Sequence, residues 1–476
     1  MKNYDLIIIG TGSVMNVVDA FIKKNPESKI AVIDKDKPGG ICLTRGCIPS
    51  KILLYPAEMI RHSMEAKTFG IDVEIKSIDF ELVMNRMRNL IGAEIDGISR
   101  ALYSSKNIDY FRGVAEFTSP YTLKVNGELI TSGMIFLGTG SAPAIPEILG
   151  LDTVGYLTSD TILNIRSLPK SVAIIGGGYI AAEYGHFLSA MGSNVTIIGR
   201  NQLFLPQEEP EISRLAKQEL ERYLKIMTNQ VVIKVEKSNG KKKIISEDRS
   251  DNTQAITEVE EILVAAGRNH LNGILHPERS GIKTTTEGWI EINEYLETSK
   301  PGIWALGDAK GKHLFKHVAN YESEILYYNA ILGKRRKADY SAIPHAVFTY
   351  PEIASVGMRE SEAIQKYGNK AILIGYYEYE NTAKGKAMNA KNYFVKLIIE
   401  SKGLRILGGH IIGPYASQLI HDIIIPMYTK EMTLRQLQST MYIHPALDEV
   451  VQRAASNLMS PEEYHSLLYQ RHRDWA

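Results

Sequence analysis

"SVAIIGGGYIAAEYGHFLSAMG", Ser171 to Gly192, runs into "NVTIIGR", which ends at Arg200. An apolar run of strand length breaks into a Gly-x-Gly turn, an amphipathic helical pattern follows, and a second apolar run closes the unit. Such a β-α-β unit of about 30 residues is the size that holds one dinucleotide. The plan occurs once more, in "YDLIIIGTGSVMNVVDAFIKK" (Tyr4 to Lys24) followed by "KIAVID" ending at Asp34. Two such units predict two bound dinucleotides.

The two turns differ in ways that carry chemistry. In the first, Gly10 permits the bend and Gly12 lets the backbone approach a pyrophosphate at the helix N-terminus. The third position, normally Gly or Ala so that the helix can lie close on its strand, is Met15. Asp34 stands 24 residues past Gly10, where an acid accepts hydrogen bonds from an adenosine ribose. The second turn is intact, with Gly176, Gly178 and Ala181, but its following strand ends in Gly199 and Arg200 rather than in an acid. An acid would repel a 2′-phosphate, whereas an arginine makes a charge-assisted bond to it worth about 1.5–3 kcal/mol, roughly ten- to a hundredfold in affinity. This favours NADP over NAD; the alternative is an arginine lying in solvent.

Around these units, 476 residues predict two to four domains. The hydrophobic share of 44%, the charged share of 23% and a net charge of +1 describe a soluble globular chain with no call for nucleic acid or an anionic membrane as partner. No apolar run approaches the roughly 18 residues of a membrane span. "MKNYDLIIIG" suits a buried strand better than a signal peptide, and with two cysteines the expected compartment is the cytoplasm. "IFLGTGSAPAIP" (Ile135 to Pro146, with Gly140) and "ILVAAGRNHLN" (Ile262 to Asn272, with Gly267) are strands breaking into turns. "KSNGKKKIISEDRSDNTQ" from Lys237 is expected to be a solvated hairpin, and the chain from about Pro344 an α+β domain. "SPEEYHSLLYQRHRDWA" at the end predicts a helix with Ser460 as N-cap, Pro461 at N1 and Glu463 closing a capping box.

Both cysteines lie in "PGGICLTRGCIPSK" (Pro38 to Lys51), five positions apart. They could staple the loop, supply half of a zinc site, or work as a dithiol. Zinc prefers closer spacing and further ligands. On an unbroken helix the two side chains would point about 140° apart at about 100° per residue, and a bridge needs Cα atoms within about 4.4–6.8 Å. Gly46 offers the necessary break. A helix resuming there places Cys47 at its N-terminus, where the dipole favours a thiolate. The two thiols are then inequivalent, one exposed and one stabilised as an anion.

"GGICLTRGCIP" resembles the active-site signature of the class I pyridine nucleotide–disulfide oxidoreductases, which include dihydrolipoyl dehydrogenase, glutathione reductase and mycothione reductase. "TSKPGIWALGDAKG" (Thr298 to Gly311) resembles the family's second FAD motif, and "YIHPALDEV" (Tyr442 to Val450) its His-Pro-x-x-x-Glu. The resemblance implies an α/β fold of two Rossmann-like dinucleotide-binding domains plus a C-terminal α+β dimerisation domain. Its divisions are 1–150 (FAD domain, first part), 151–275 (NAD(P) domain), 276–343 (FAD or central domain, second part) and 344–476 (interface).

The resemblance also implies roles. Cys42 is the interchange thiol, Cys47 the charge-transfer thiolate against the flavin, and Lys51 with Glu183 an ion pair beside the flavin on the nicotinamide side. His444, oriented by Glu449 and supplied by the partner of a homodimer, is the base. FAD would meet Gly10, Gly12, Asp34, Gly40, Lys51, Gly140, Asp308, His317 and Ala319. NAD(P) would meet Gly176, Gly178, Tyr179, Ala181, Arg200 and Gly267.

Substrate is less legible. Mercuric and large thioredoxin reductases need extra C-terminal cysteines, so this chain is expected to be neither. His317-x-Ala319-x-x-Glu322 resembles dihydrolipoyl dehydrogenases, whereas Tyr179 and Arg200 lean towards NADPH-dependent reductases of small disulfides such as mycothione or glutathione. A dihydrolipoyl substrate is placed first. A redox-silent flavin-binding protein is the reading from a different class, and it leaves the base motif at His444 without a purpose.

Overall fold

The computed structural model describes residues 1–471. Two five-stranded parallel sheets form its centre. The middle strand of the first, Leu6–Ile9, pairs with Ile30–Asp34 on one side and Ile135–Leu137 on the other; Ile108–Arg112 and Ile303–Ala305 are the edges. All of Leu6–Ile9 is buried, as an all-parallel strand covered on both faces requires. The chain leaves this sheet after Leu137 and re-enters it at Ile303. In between, Ser171–Ile175 takes the corresponding place in the second sheet, flanked by Asn194–Ile198 and Glu261–Val264. Both glycine turns leave the carboxyl end of a central strand, where open parallel sheets bind ligands.

In the second unit the helix Tyr179–Met191 starts directly after Gly178, and the fully buried Ala181 lets it lie on the sheet. Gly176 has φ +136°, and a Cβ there would stand 2.2 Å from the Ala265 carbonyl oxygen. The first unit differs at its methionine. A long side chain cannot fill the gap that Gly or Ala leaves between helix and strand, and here Ser13–Val17 is a 3₁₀ turn ahead of the α-helix Val18–Lys24. Met15 packs half-buried at the margin of the cluster holding Val14 and Val17.

The charged excursion is more than a solvated hairpin. Gln230–Ser238 and Lys241–Asp248 pair across Asn239-Gly240, both with positive φ, and Gln254–Val259 adds a third strand. Val235 and Ile244 are buried against Leu151 and Val154. The lysines around Ile244 mask that apolar face in the sequence.

The C-terminal part is a six-stranded antiparallel sheet with helices against it, among them Ala416–Met427 and Glu449–Ser456. The final helix, Pro461–Arg471, carries the expected box: Ser460 N donates to Glu463 Oε2 (2.8 Å) and Glu463 N to Ser460 Oγ (3.2 Å). Residues 472–476, included in that helical reading, lie outside the described residues. Among the described residues no helix is long and apolar enough to cross a membrane.

A buried charge cluster docks this sheet on the second unit. Lys396 Nζ reaches Glu209 Oε2 (3.0 Å), Glu211 Oε1 (2.5 Å) and Glu360 Oε2 (2.7 Å), and Tyr464 of the final helix donates to Glu211 (2.7 Å). Burial alone would raise the Glu211 carboxyl, but the charge and hydrogen bond of Lys396 overcome it and hold the group at about 2. Lys396→Met is therefore expected to destabilise the protein by about 3–5 kcal/mol, since three buried carboxylates lose their cation. Denaturant titration measures it. Because the Glu211 value is depressed, its contribution is present above the ordinary 4.5 and lost as pH falls towards about 2, a loss the variant should not share.

Candidate active site

The short helix Gly40–Arg45 carries Cys42, Gly46 interrupts it, and the long helix Cys47–Glu65 begins at Cys47. A Cβ on Gly46 would stand 2.9 Å from the Ile41 carbonyl oxygen and 3.1 Å from Cys42 Cα, so only glycine lets the two helices meet this closely. The sulfurs face each other. A hydrogen bond from Cys42 is the largest influence on Cys47; burial opposes it, Lys51 adds its charge, and the thiol is held at about 7. Cys42 is pushed up because it gives that hydrogen bond, is buried and faces Cys47. Both cysteines lie on the cavity wall, and the lowered thiol of Cys47 is the one that favours the thiolate near neutral pH. Cys47 opens the long helix onto the cavity, and Cys42 meets the same cavity from the short one.

Lys51 lies one turn beyond Cys47, and its Nζ stands 2.8 and 2.7 Å from the two carboxylate oxygens of Glu183. Glu183 comes from the helix of the second glycine turn, so the pair joins the two dinucleotide units. The Phe348 amide donates to Glu183 Oε1 (3.1 Å), and Lys51 Nζ sits 4.5 Å from the Phe348 ring centre.

A cavity of about 1650 Å³, counting its open mouth, runs from the first glycine turn to the cysteines. Gly10, Gly12, Asp34, Gly40, Gly140, Asp308 and Ala319 line it, together with Cys42, Cys47, Lys51, Tyr179 and Glu183. Gly10 has φ +96°, and a Cβ there would lie 2.2 Å from the Gly138 carbonyl oxygen; one on Gly40 would lie 2.6 Å from Gly12 Cα. Asp34 Oδ2 accepts from Thr11 N (2.9 Å) and Thr11 Oγ1 (2.5 Å), and Oδ1 from Asp36 N (2.9 Å), which closes the turn with the carboxylate still on the cavity. At the other end Ser141 Oγ donates to Asp308 and accepts from Arg268 Nε (2.6 Å). A narrow glycine cradle with an acid at one end and a dithiol at the other fits a dinucleotide whose far end is redox-active, as FAD is.

The remaining candidates stand apart from this cavity. His317 is not in its wall: Nε2 is 2.8 Å from the Pro344 carbonyl oxygen and the ring stacks on Phe315, 5.3 Å between centres. The helix begins at Lys316, so the next side chain turns about 100° away, and Lys316 lines the cavity instead. Gly176, Gly178 and Ala181 form the turn and helix start at the carboxyl end of the second sheet's middle strand, and Gly267 follows the neighbouring strand Glu261–Val264. Arg200 is exposed just beyond Gly199, whose added Cβ would stand 3.2 Å from Gly177 Cα; close approach of the backbones explains why no acid ends that strand. His444 Nδ1 is 2.9 Å from Glu449 Oε1, which also accepts from Ala446 N (3.2 Å). The His444 side chain is 71% exposed and lies off the cavity of its own chain. Beside it Met441 and Ile443 are 96% and 77% exposed, an apolar surface suited to a second subunit.

Sequence reasoning passed over Thr11, Arg268, Phe348 and Lys316. Thr11 sat inside the quoted turn and Arg268 inside "AAGRNH", but nothing in the local pattern tells which way either side chain points.

A polarised dithiol on a dinucleotide cradle, coupled through an ion pair to a second nucleotide-binding unit, defines a flavoprotein disulfide reductase. The chain belongs to the pyridine nucleotide-disulphide oxidoreductase family, whose model matches residues 4–324, with the family's dimerisation domain matching 343–455. It is 32% identical over 475 residues to mycothione reductase of Mycobacterium tuberculosis, covering 96% of this chain and all of that one. Dihydrolipoyl dehydrogenase of Chlamydia pneumoniae is 31% identical over 94% of this chain and 95% of its own length. Mercuric reductase of Staphylococcus aureus is 33% identical over 88% and 76%. Among solved structures, the HOCl-induced flavoprotein disulfide reductase RclA from Escherichia coli superposes with a TM-score of 0.84 at 26% identity, over 95% of this chain and 99% of that one. The protein is thus a dimeric flavoprotein oxidoreductase with Cys42 and Cys47 as its redox pair. Mycothione reductase, dihydrolipoyl dehydrogenase and mercuric reductase stand at the same level of identity to this chain, mercuric reductase included despite the cysteine count that set it aside.

Proposed function

We propose that this enzyme passes two electrons between a nicotinamide dinucleotide and a small dithiol or disulfide, with a dihydrolipoyl group as first candidate. The observation that carries the reading is the polarised Cys42–Cys47 pair one helical turn from the Lys51–Glu183 ion pair. Bound FAD supplies the redox chemistry that links hydride transfer to thiolate exchange. The chain's residues supply the rest. Asp34, Asp308 and the glycine cradle hold the dinucleotide, Cys47 keeps a thiolate towards the ring, and Cys42 exchanges with substrate. Lys51 holds a positive charge on the nicotinamide side, kept in place by Glu183. His444 of the partner subunit, oriented by its own Glu449, takes the proton from the attacking dithiol. The four-part division at residues 150, 275 and 343 is proposed with it, supported by the chain's exit from and return to the first sheet, as is a cytoplasmic site of action.

The second reading is an NADPH-dependent reductase of a low-molecular-weight disulfide. The full-length likeness to mycothione reductase favours it, and so does a second arginine, Arg249, whose Nη1 donates to the Arg200 carbonyl oxygen at 3.1 Å. Steady-state assays with NADPH and NADH against lipoamide and a panel of sugar-thiol and tripeptide disulfides separate the two. Turnover of those disulfides without lipoamide activity would overturn the first choice. Arg200→Ala is expected to raise the KM for NADPH about ten- to a hundredfold with little change in kcat or in the KM for NADH. A wild-type enzyme that uses NADH alone contradicts the role given to Arg200.

A further inference from the structure

The segment that joins the two thiols is pinned to the second unit on both sides of Cys47. Beyond it stands the Lys51–Glu183 pair; before it stands Arg45, the last residue of the short helix that carries Cys42. Every nitrogen of that guanidinium has a partner. Nη2 is 2.7 Å from Asp36 Oδ2, Nε is 3.1 Å from Asp160 Oδ2, and Nη1 donates to Thr44 Oγ1 at 3.1 Å. Asp36 lies just past the first-sheet strand Ile30–Asp34. Asp160 lies just past Leu157–Thr158, the edge strand that pairs with Leu263–Val264 in the second sheet. One arginine thus holds a carboxylate from each dinucleotide unit, in a fork that a lysine's point charge does not reproduce. Asp36 has a further cation in Lys35 (2.7 Å), whereas among the described residues Arg45 is the ion-pair partner of Asp160. Asp160 is not in the cavity wall, so that bond lies outside the space a dinucleotide fills.

We propose that Arg45 is a positioning residue for the redox pair: by fixing the end of the short helix against both units, it holds Cys42 where Cys47 closes on it. The proposal rests on the reading of Cys42 and Cys47 as the exchanging pair. The step it serves is closure of the internal disulfide. In the mixed disulfide with substrate, the Cys47 thiolate attacks Cys42 Sγ. The Cys47–Cys42 S–S bond forms and the Cys42–substrate S–S bond breaks. The substrate sulfur leaves with the electron pair as a thiolate and takes up a proton. Only Gly46 separates Arg45 from Cys47, and glycine by itself restrains the backbone least. Freeing the helix end therefore lowers the effective concentration of each sulfur at the other, and the closed form loses ground to the open dithiol.

The test equilibrates the FAD-loaded dimer anaerobically with reduced and oxidised dithiothreitol at set ratios. Samples are quenched in acid, alkylated, and their free thiols counted by mass. In Arg45→Met the equilibrium constant for closing the internal disulfide is expected to fall about tenfold, which raises the midpoint potential by about 30 mV. Asp160→Asn is expected to move it the same way, and to add little to Arg45→Met in the double variant, because both remove one contact. Flavin absorbance reports FAD content in each variant. An unchanged constant in Arg45→Met overturns the proposal, whether or not FAD is retained. Effects of the two substitutions that add in full overturn it as well, since the arginine then does not act through Asp160. A wild-type dimer that keeps both thiols free even in oxidised dithiothreitol overturns the reading of the redox pair itself.

Discussion

Cys47→Ser is expected to abolish turnover and to remove the long-wavelength thiolate–flavin absorbance that the wild-type holoenzyme shows after anaerobic reduction with a nicotinamide nucleotide. A hydroxyl does not ionise near neutral pH, and it cannot close a disulfide with Cys42. In the wild type the same absorbance should follow the thiolate. The hydrogen bond from Cys42, with the charge of Lys51, lowers Cys47 from 9.0 to about 7, so the band is present above that value and fades as pH falls through it. Anaerobic titration of the two-electron-reduced enzyme measures this directly. Retention of the band in Cys47→Ser, or a midpoint near 9, would show that the wrong sulfur has been placed against the ring.

His444→Gln is expected to lower kcat by about two to four orders of magnitude, the usual contribution of a positioned base. Its FAD content should be untouched, because His444 is not among the residues that line the dinucleotide cradle. Glu449→Gln should act in the same direction more weakly, since Glu449 Oε1 only fixes the ring through Nδ1. Geometry supplies a sharper form of the experiment. In a dimer with exchanged bases, a Cys47→Ser chain and a His444→Gln chain, each inactive alone, together rebuild one intact site. Randomly co-assembled mixtures should recover about a quarter of wild-type activity. Mixtures that stay inactive while hybrid dimers are present would place the base within its own chain, against the 71% exposure of His444.

Two β-α-β units, their strand edges and the dithiol loop were legible because each depends on local rules. Alternating periods mark strand and helix, and a Gly-x-Gly turn is needed wherever backbone must pass within contact distance of backbone, as Gly10 does beside Gly138. The break at Gly46 was legible for the same reason: a bridge across five positions cannot lie on a continuous helix. His317 shows where local rules stop. Its position in a motif said nothing about which face of the helix would meet the cavity, and Lys316, one residue earlier, took the wall. Met15 likewise announced a departure from the glycine pattern without saying that the helix would answer with a 3₁₀ turn.

What the sequence by itself determined about this protein is its pair of nucleotide-binding units and the chemistry of its only two cysteines, because turn geometry and thiol spacing act over a few residues. Only the tertiary structure decided that Lys316 rather than His317 takes the cavity wall, and that Lys396 ties three carboxylates from two segments into the joint that seats the C-terminal sheet. Those outcomes depend on distances between groups far apart in the chain. Burial amplifies such through-space interactions, and no local pattern encodes them.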